Sequence, residues 1–176
     1  MTTEEYSSRY GLKARHRIVP RCFSEIDGVK IFETEKVIVE TNSMTFEDYM
    51  DLRALALIIT VFAGSLEMFP MKKFLIEHKL NVAQWIFGMH KRIRDYPGPY
   101  LEYQAFLRET RGELFSSREA IINFFSDKNN YESLCSGGSG DNLLRKYKAV
   151  MLSKHYSECL KLAVCELRLI IRRSLN

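Results

Sequence analysis

Residues 141–174 read DNLLRKYKAVMLSKHYSECLKLAVCELRLIIRRS, with no proline and no glycine. Good helix formers fill the stretch. The spacing predicts one long helix, on the order of 50 Å at about 1.5 Å per residue. Leu143, Tyr147 and Val150, then Tyr156, Leu160, Ala163, Leu167 and Ile170, recur at three- and four-residue steps, which makes an apolar stripe along one side. A stripe that long needs several partner helices. The expected fold is therefore mainly α: a helical bundle with a long C-terminal helix.

Working back toward the N-terminus, the helix signals continue. Thr45, with Asp48 three residues later, forms a helix start, and the helix it opens runs to Gly64. Residues 54–64 (ALALIITVFAG) are apolar nearly all round, so this element is expected to be the most buried. A short helix starts near Pro70 and ends near Lys79. Asn81 caps a helix over residues 82–96 whose Val82, Trp85, Ile86, Met89 and Ile93 share a face. Pro97-Gly98-Pro99 stops it. Residues 100–110 read as a helix with Leu101, Phe106 and Leu107 inward. Ser116 to Glu119 is a capping box that opens a helix through Phe125, and a short segment leads to Leu134. Six or seven helices result.

The N-terminal part has a different period. Over residues 12–19 (LKARHRIV), Lys13, Arg15 and Arg17 alternate with Leu12, Ala14, His16 and Ile18, a strand pattern. Residues 35–40 (EKVIVE) form a second β-branched run. Asp27-Gly28 between them is a favoured type I′ turn pair. A two-residue hairpin there sets Phe23 opposite Phe32, Ile18 opposite Val37, Glu25 opposite Lys30 and Arg15 opposite Glu40. Pro20 has no N–H to donate, so it marks a bulge or an edge. The expected organisation is a basic β-hairpin segment over residues 1–42 and a helical domain over 43–176, joined in one compact unit.

Composition bounds the function. The 176 residues are 46% hydrophobic and 27% charged, a globular balance, with net charge +4, too small to imply nucleic acid by itself. The basic residues are unevenly placed: Arg9, Lys13, Arg15, Arg17 and Arg21 follow one another with no acid between them. Such a face can attract anions or nucleic acid, but the commoner outcome is a solvated face or contact with an acidic partner. The longest apolar run falls far short of the ~20 residues of a membrane span. Four cysteines without regular spacing suit a reducing cytoplasm better than a disulfide framework, and the polar residues after Met1 do not read as a secretory leader.

Several constellations have blander explanations than chemistry. The loop over residues 136–140 (SGGSG) resembles a phosphate cradle, but no Lys-Ser or Lys-Thr follows and Asp141 sits where the phosphate would. His155 and Cys159, four apart, with Cys135 upstream, offer three metal donors where a structural zinc needs four. Glu47, Asp48 and Asp51 lie in the first turns of a helix, where capping and the helix dipole account for acid. His78 and His90 stand alone beside lysines and read as surface residues.

Two phrases carry a resemblance: residues 9–23 (RYGLKARHRIVPRCF) and 37–53 (VIVETNSMTFEDYMDLR). Both resemble the region that follows the catalytic barrel in cobalamin-binding radical SAM proteins, with the match running over residues 6–53. The resemblance implies a C-terminal domain that docks on a catalytic barrel or holds an anionic substrate, with Arg15, His16, Arg17 and Arg21 as the contact residues. In the family, an iron–sulfur cluster, S-adenosylmethionine and cobalamin serve the reaction. This chain lacks the C-x3-C-x2-C arrangement, having Cys22 alone in the region, and it lacks a cobalamin-binding βαβ pattern. The resemblance thus implies a non-catalytic domain with no cofactor of its own. From the residues alone, the alternative is a stand-alone helical interaction module that binds an acidic partner.

Overall fold

The computed structural model describes residues 4–175. Helix α1 (Glu4–Tyr10) leads into strands β1 (Lys13–Ile26) and β2 (Val29–Glu40), an antiparallel pair. The helices α2 (Phe46–Ile58), α3 (Phe69–Glu77), α4 (Val82–Arg92), α5 (Pro97–Gly112), α6 (Arg118–Ser126), α7 (Lys128–Cys135), α8 (Leu143–Lys154) and α9 (Tyr156–Ser174) follow. The expected mainly α fold, with an N-terminal hairpin and a long last helix, is what forms. Nine α-helices occur among the described residues, because residues 4–10 add one and the predicted 141–174 helix is two. None is long and apolar enough to cross a membrane.

The chain divides into two compact units. One comprises Met1–Asp51 with Glu109–Asn142, the other Leu52–Arg108 with Leu143–Asn176.

In the first unit, α6 and α7 cover one side of the hairpin. Ile18 and Phe32 from the strands close on Ile121, Phe125 and Leu134, with Phe23, Phe115 and Tyr131 around them. Phe32 meets Phe125 at 5.9 Å and Tyr131 at 6.1 Å, ring centre to ring centre. Aromatic pairs at such distances add attraction beyond simple burial. The turn behaves as its Asp-Gly pair predicts: Asp27 and Gly28 both have positive φ, and Phe23 faces Phe32 and Glu25 faces Lys30. Beyond Phe23 the predicted register fails. Ile18 faces Thr34 and Arg15 faces Val37, while Lys13 pairs with Glu40. A bulge between Ile18 and Phe23 shifts the strand. It contains Pro20, which has no N–H for the ladder, and Arg21 at φ 63°.

In the second unit, the core takes in the apolar run that the sequence marks for burial, although Ile59 within it is 43% exposed. Ala54, Leu57, Ile58, Val61 and Phe62 are fully buried, as are Met68, Leu75, Trp85, Met89 and Phe106. After Ile58 the helix widens into a π turn over Ile59–Ala63, closed by a bond from Gly64 N to Ile59 O. Asn81 caps α4 through a bond from Gln84 N. Pro97-Gly98-Pro99 does not separate two helices by a loop; Pro97 opens α5 itself, as proline does at a first helical position. Leu101, expected inward, is 61% exposed, and Tyr103 and Phe106 take the buried face.

The predicted continuous helix over 141–174 breaks at His155, whose φ −123° and ψ 25° leave the helical region. No residue there forbids a helix; at the break, side chains of the segment engage α5. The Glu158 carboxylate accepts the Gly98 N–H at 3.1 Å, and the His155 ring lies beside Glu102 at 3.5 Å. A Cβ on Gly98 would stand 2.3 Å from His155 Nδ1, so α5 admits the ring only because that position is glycine. The break also corrects phase. Leu143, Tyr147 and Met151 face the core at steps of four, which drift by about 40° each. After the break, Cys159, Leu162, Ala163, Glu166 and Ile170 face it instead. Of the predicted stripe, Ala163 and Ile170 are buried, Leu160 and Leu167 are half-buried, and Tyr156 is 40% exposed.

Candidate functional site: the basic face of the hairpin

The predicted contact residues Arg15, His16, Arg17 and Arg21 all lie on β1 in the first unit. Their surroundings differ sharply. Arg17 is half-buried; its Nε donates to Glu35 at 2.6 Å and its Nη1 to Glu113 at 2.9 Å. Burial works against its charge, but Glu113 and Glu35 outweigh burial and hold the guanidinium above its ordinary pKa. Truncating it would leave two carboxylates facing each other. Arg17 is thus a structural cation.

Arg21 is exposed and reaches both carboxylate oxygens of Asp141, at 3.0 and 3.2 Å. Those hydrogen bonds raise its pKa, and its backbone N–H donates to Gly140 O. The left-handed backbone at Arg21 aims the side chain at the loop. His16 is fixed by its backbone, which exchanges hydrogen bonds with Phe115 at 2.8 and 2.7 Å. Arg15 alone of the four is exposed and makes no ion pair among the described residues. The four do not converge on one point.

The sequence reading missed Glu113 and Asp141 as partners, since nothing local ties a strand to residues some 100 positions away. Arg21 and Phe23, with Leu134 and the SGGSG loop, line a shallow cavity of about 280 Å³. The amides of Gly137, Gly138 and Ser139 already donate to Leu134 and Ser133 carbonyls, so the loop offers no phosphate cradle.

The remaining candidates resolve into structure. Thr45 and Asp48 form a reciprocal cap: Thr45 N donates to Asp48 at 2.8 Å and Asp48 N to Thr45 Oγ1 at 3.2 Å. The bonds from Thr45 lower the Asp48 pKa. Glu47 takes a forked bond from Arg111. His78 stacks on Phe74 at 4.0 Å, whereas His90 is half-buried, with Nε2 3.1 Å from the Tyr103 hydroxyl, and so is not the surface residue its lysine neighbours suggested. Cys159 is buried, and burial pushes its thiol up to about 12, the opposite of what a metal-binding thiolate needs. Among the described residues no group of three or more His, Cys, Asp or Glu side chains is arranged to hold a metal. Cys22 and Cys135 belong to one unit and Cys159 and Cys165 to the other.

No protein-family model matches this chain, and no curated protein sequence matches it.

Proposed function

We propose that this chain is a non-catalytic, cytoplasmic accessory domain of a cobalamin-dependent radical SAM-like enzyme, docking by its hairpin on the catalytic barrel or on an anionic substrate. The iron–sulfur cluster, S-adenosylmethionine and cobalamin would be held by the catalytic portion. The carrying observation is the resemblance over residues 6–53. Those residues run without interruption through α1, both strands and the opening of α2. Arg15 supports the docking role, because Arg17 and Arg21 are held by carboxylates of the same unit while Arg15 keeps its guanidinium in solvent. The test is whether a polypeptide carrying the three-cysteine motif is encoded beside the chain and co-purifies with it. Arg15→Glu is expected to weaken that association at least tenfold, a change of about 1.4 kcal/mol. Cluster absorbance and methionine release by the chain alone, after iron–sulfur reconstitution with S-adenosylmethionine and reductant, would overturn the reading.

A second reading, a module that binds an acidic partner, is favoured by the solvent side of α9. Lys161, Arg168 and Arg172 are exposed there, on the side of the helix opposite its buried residues. This reading expects charge reversal at Arg168 and Arg172, not at Arg15, to abolish partner capture.

A further inference from the structure

Helices α4 and α9 are tied by Trp85, whose Nε1 donates to Ala163 O at 2.9 Å. One turn along, two unfavourable features meet. Gly88 sits inside α4, where glycine weakens a helix. Glu166 is buried, its side chain 5% exposed. They explain each other: a Cβ on Gly88 would lie 2.1 Å from Glu166 Oε2. Arg92 Nε approaches Oε1 at 2.8 Å, but the contact is ionic only, and Oε1 is closed to water and accepts no hydrogen bond. Burial of a carboxylate in that state is costly unless something else uses it.

Beside this carboxylate lies a cleft of about 320 Å³, lined by Gln84, Phe87, Lys91, Arg92 and Arg173 as well as Glu166. Three cations face one carboxylate, an excess of two positive charges. Lys91 and Arg173 are exposed and make no ion pair of their own among the described residues. Phe87, 52% exposed, forms an apolar wall. The volume is at the small end of the range for ligand sites, about 300–1,000 Å³.

We propose that this cleft binds the phosphate ester of a small polyol. The dianionic phosphate, with a second pKa of about 6, matches the two excess charges and sits among Lys91, Arg92 and Arg173. Arg92 turns from Glu166 toward the phosphate, which frees Oε1 to accept a ligand hydroxyl. The carbon skeleton lies on Phe87. Arginine suits this role because its fork matches phosphate oxygens. The proposal is independent of both readings of the hairpin and of α9.

Isothermal titration of the full chain in about 150 mM salt with glycerol 3-phosphate, inorganic phosphate and glycerol tests it. Glycerol 3-phosphate is expected to bind at submillimolar concentration, inorganic phosphate about tenfold more weakly, and glycerol not at all. Lys91→Ala with Arg173→Ala, both at exposed positions, should weaken both phosphate compounds at least tenfold, with Trp85 fluorescence reporting an intact fold. Glu166→Gln should close the gap between ester and phosphate. No heat from either phosphate compound up to about 10 mM, or binding undiminished by the double substitution, overturns the site. Equal binding of ester and phosphate by the unaltered chain overturns the role of Glu166.

Discussion

A glycine inside a helix costs up to about 1 kcal/mol relative to alanine, and Gly88 is the seventh of eleven residues in α4. Gly88→Ala should therefore stabilise the protein if helix propensity decides. The Glu166 carboxylate decides otherwise: it is buried against this position and would be driven away from Arg92. Overpacking of that kind costs about 1–3 kcal/mol, so a net loss on the order of 1–2 kcal/mol is expected in urea unfolding. In a Glu166→Ala background the same substitution should become stabilising, and a double-mutant cycle measures the sign change. Glu166 also predicts a pH dependence. Burial raises its pKa, against Arg92 and Arg173, which lower it. A raised carboxyl pKa adds stability that is fully present below the unfolded value of 4.5 and is lost as pH rises through the folded value. The melting temperature of the unaltered protein, measured relative to Glu166→Gln, should fall between pH 4.5 and neutrality.

At the scale of the element, β1 shows how one residue redirects a strand. Pro20 withdraws a donor, Arg21 adopts φ 63°, and the register resumes three residues out of step. A left-handed backbone costs a non-glycine residue roughly 1–2 kcal/mol, whereas the Arg21–Asp141 pair is exposed and contributes little in water. Comparison of two truncations isolates the backbone. Arg21→Gly should be more stable than Arg21→Ala by about 1 kcal/mol, read from the midpoint of chemical unfolding. Equal midpoints would mean that the bulge relaxes when the arginine is gone. The α8–α9 break is the helical counterpart. There the His155 and Glu158 side chains of the segment meet Gly98 and Glu102 of α5.

For the molecule as a whole, each of the two units carries its own apolar core, aromatic on the hairpin and largely aliphatic around α2. Leu57 and Leu66 test how far burial governs stability. Leu57 is fully buried and Leu66 is 87% exposed. Leu57→Ala should cost about 3 kcal/mol, and Leu66→Ala should stay within about 0.5 kcal/mol, measured by urea unfolding followed through Trp85. The amino-acid sequence by itself determined the mainly α class, the hairpin turn at Asp27-Gly28, the caps at Thr45 and Asn81, and the burial of Ala54, Leu57, Ile58, Val61 and Phe62. Those features depend on near neighbours in the chain: periodicity, capping and turn chemistry act within a few residues. Only the tertiary structure decided the helix break at His155, the three-residue slip past Pro20, the pairing of Arg17 and Arg21 with carboxylates of their own unit, and the burial of Glu166. Each depends on a group far along the chain, Gly98, Glu113, Asp141 or Gly88, which comes within hydrogen-bonding or van der Waals reach only once the helices and strands have packed.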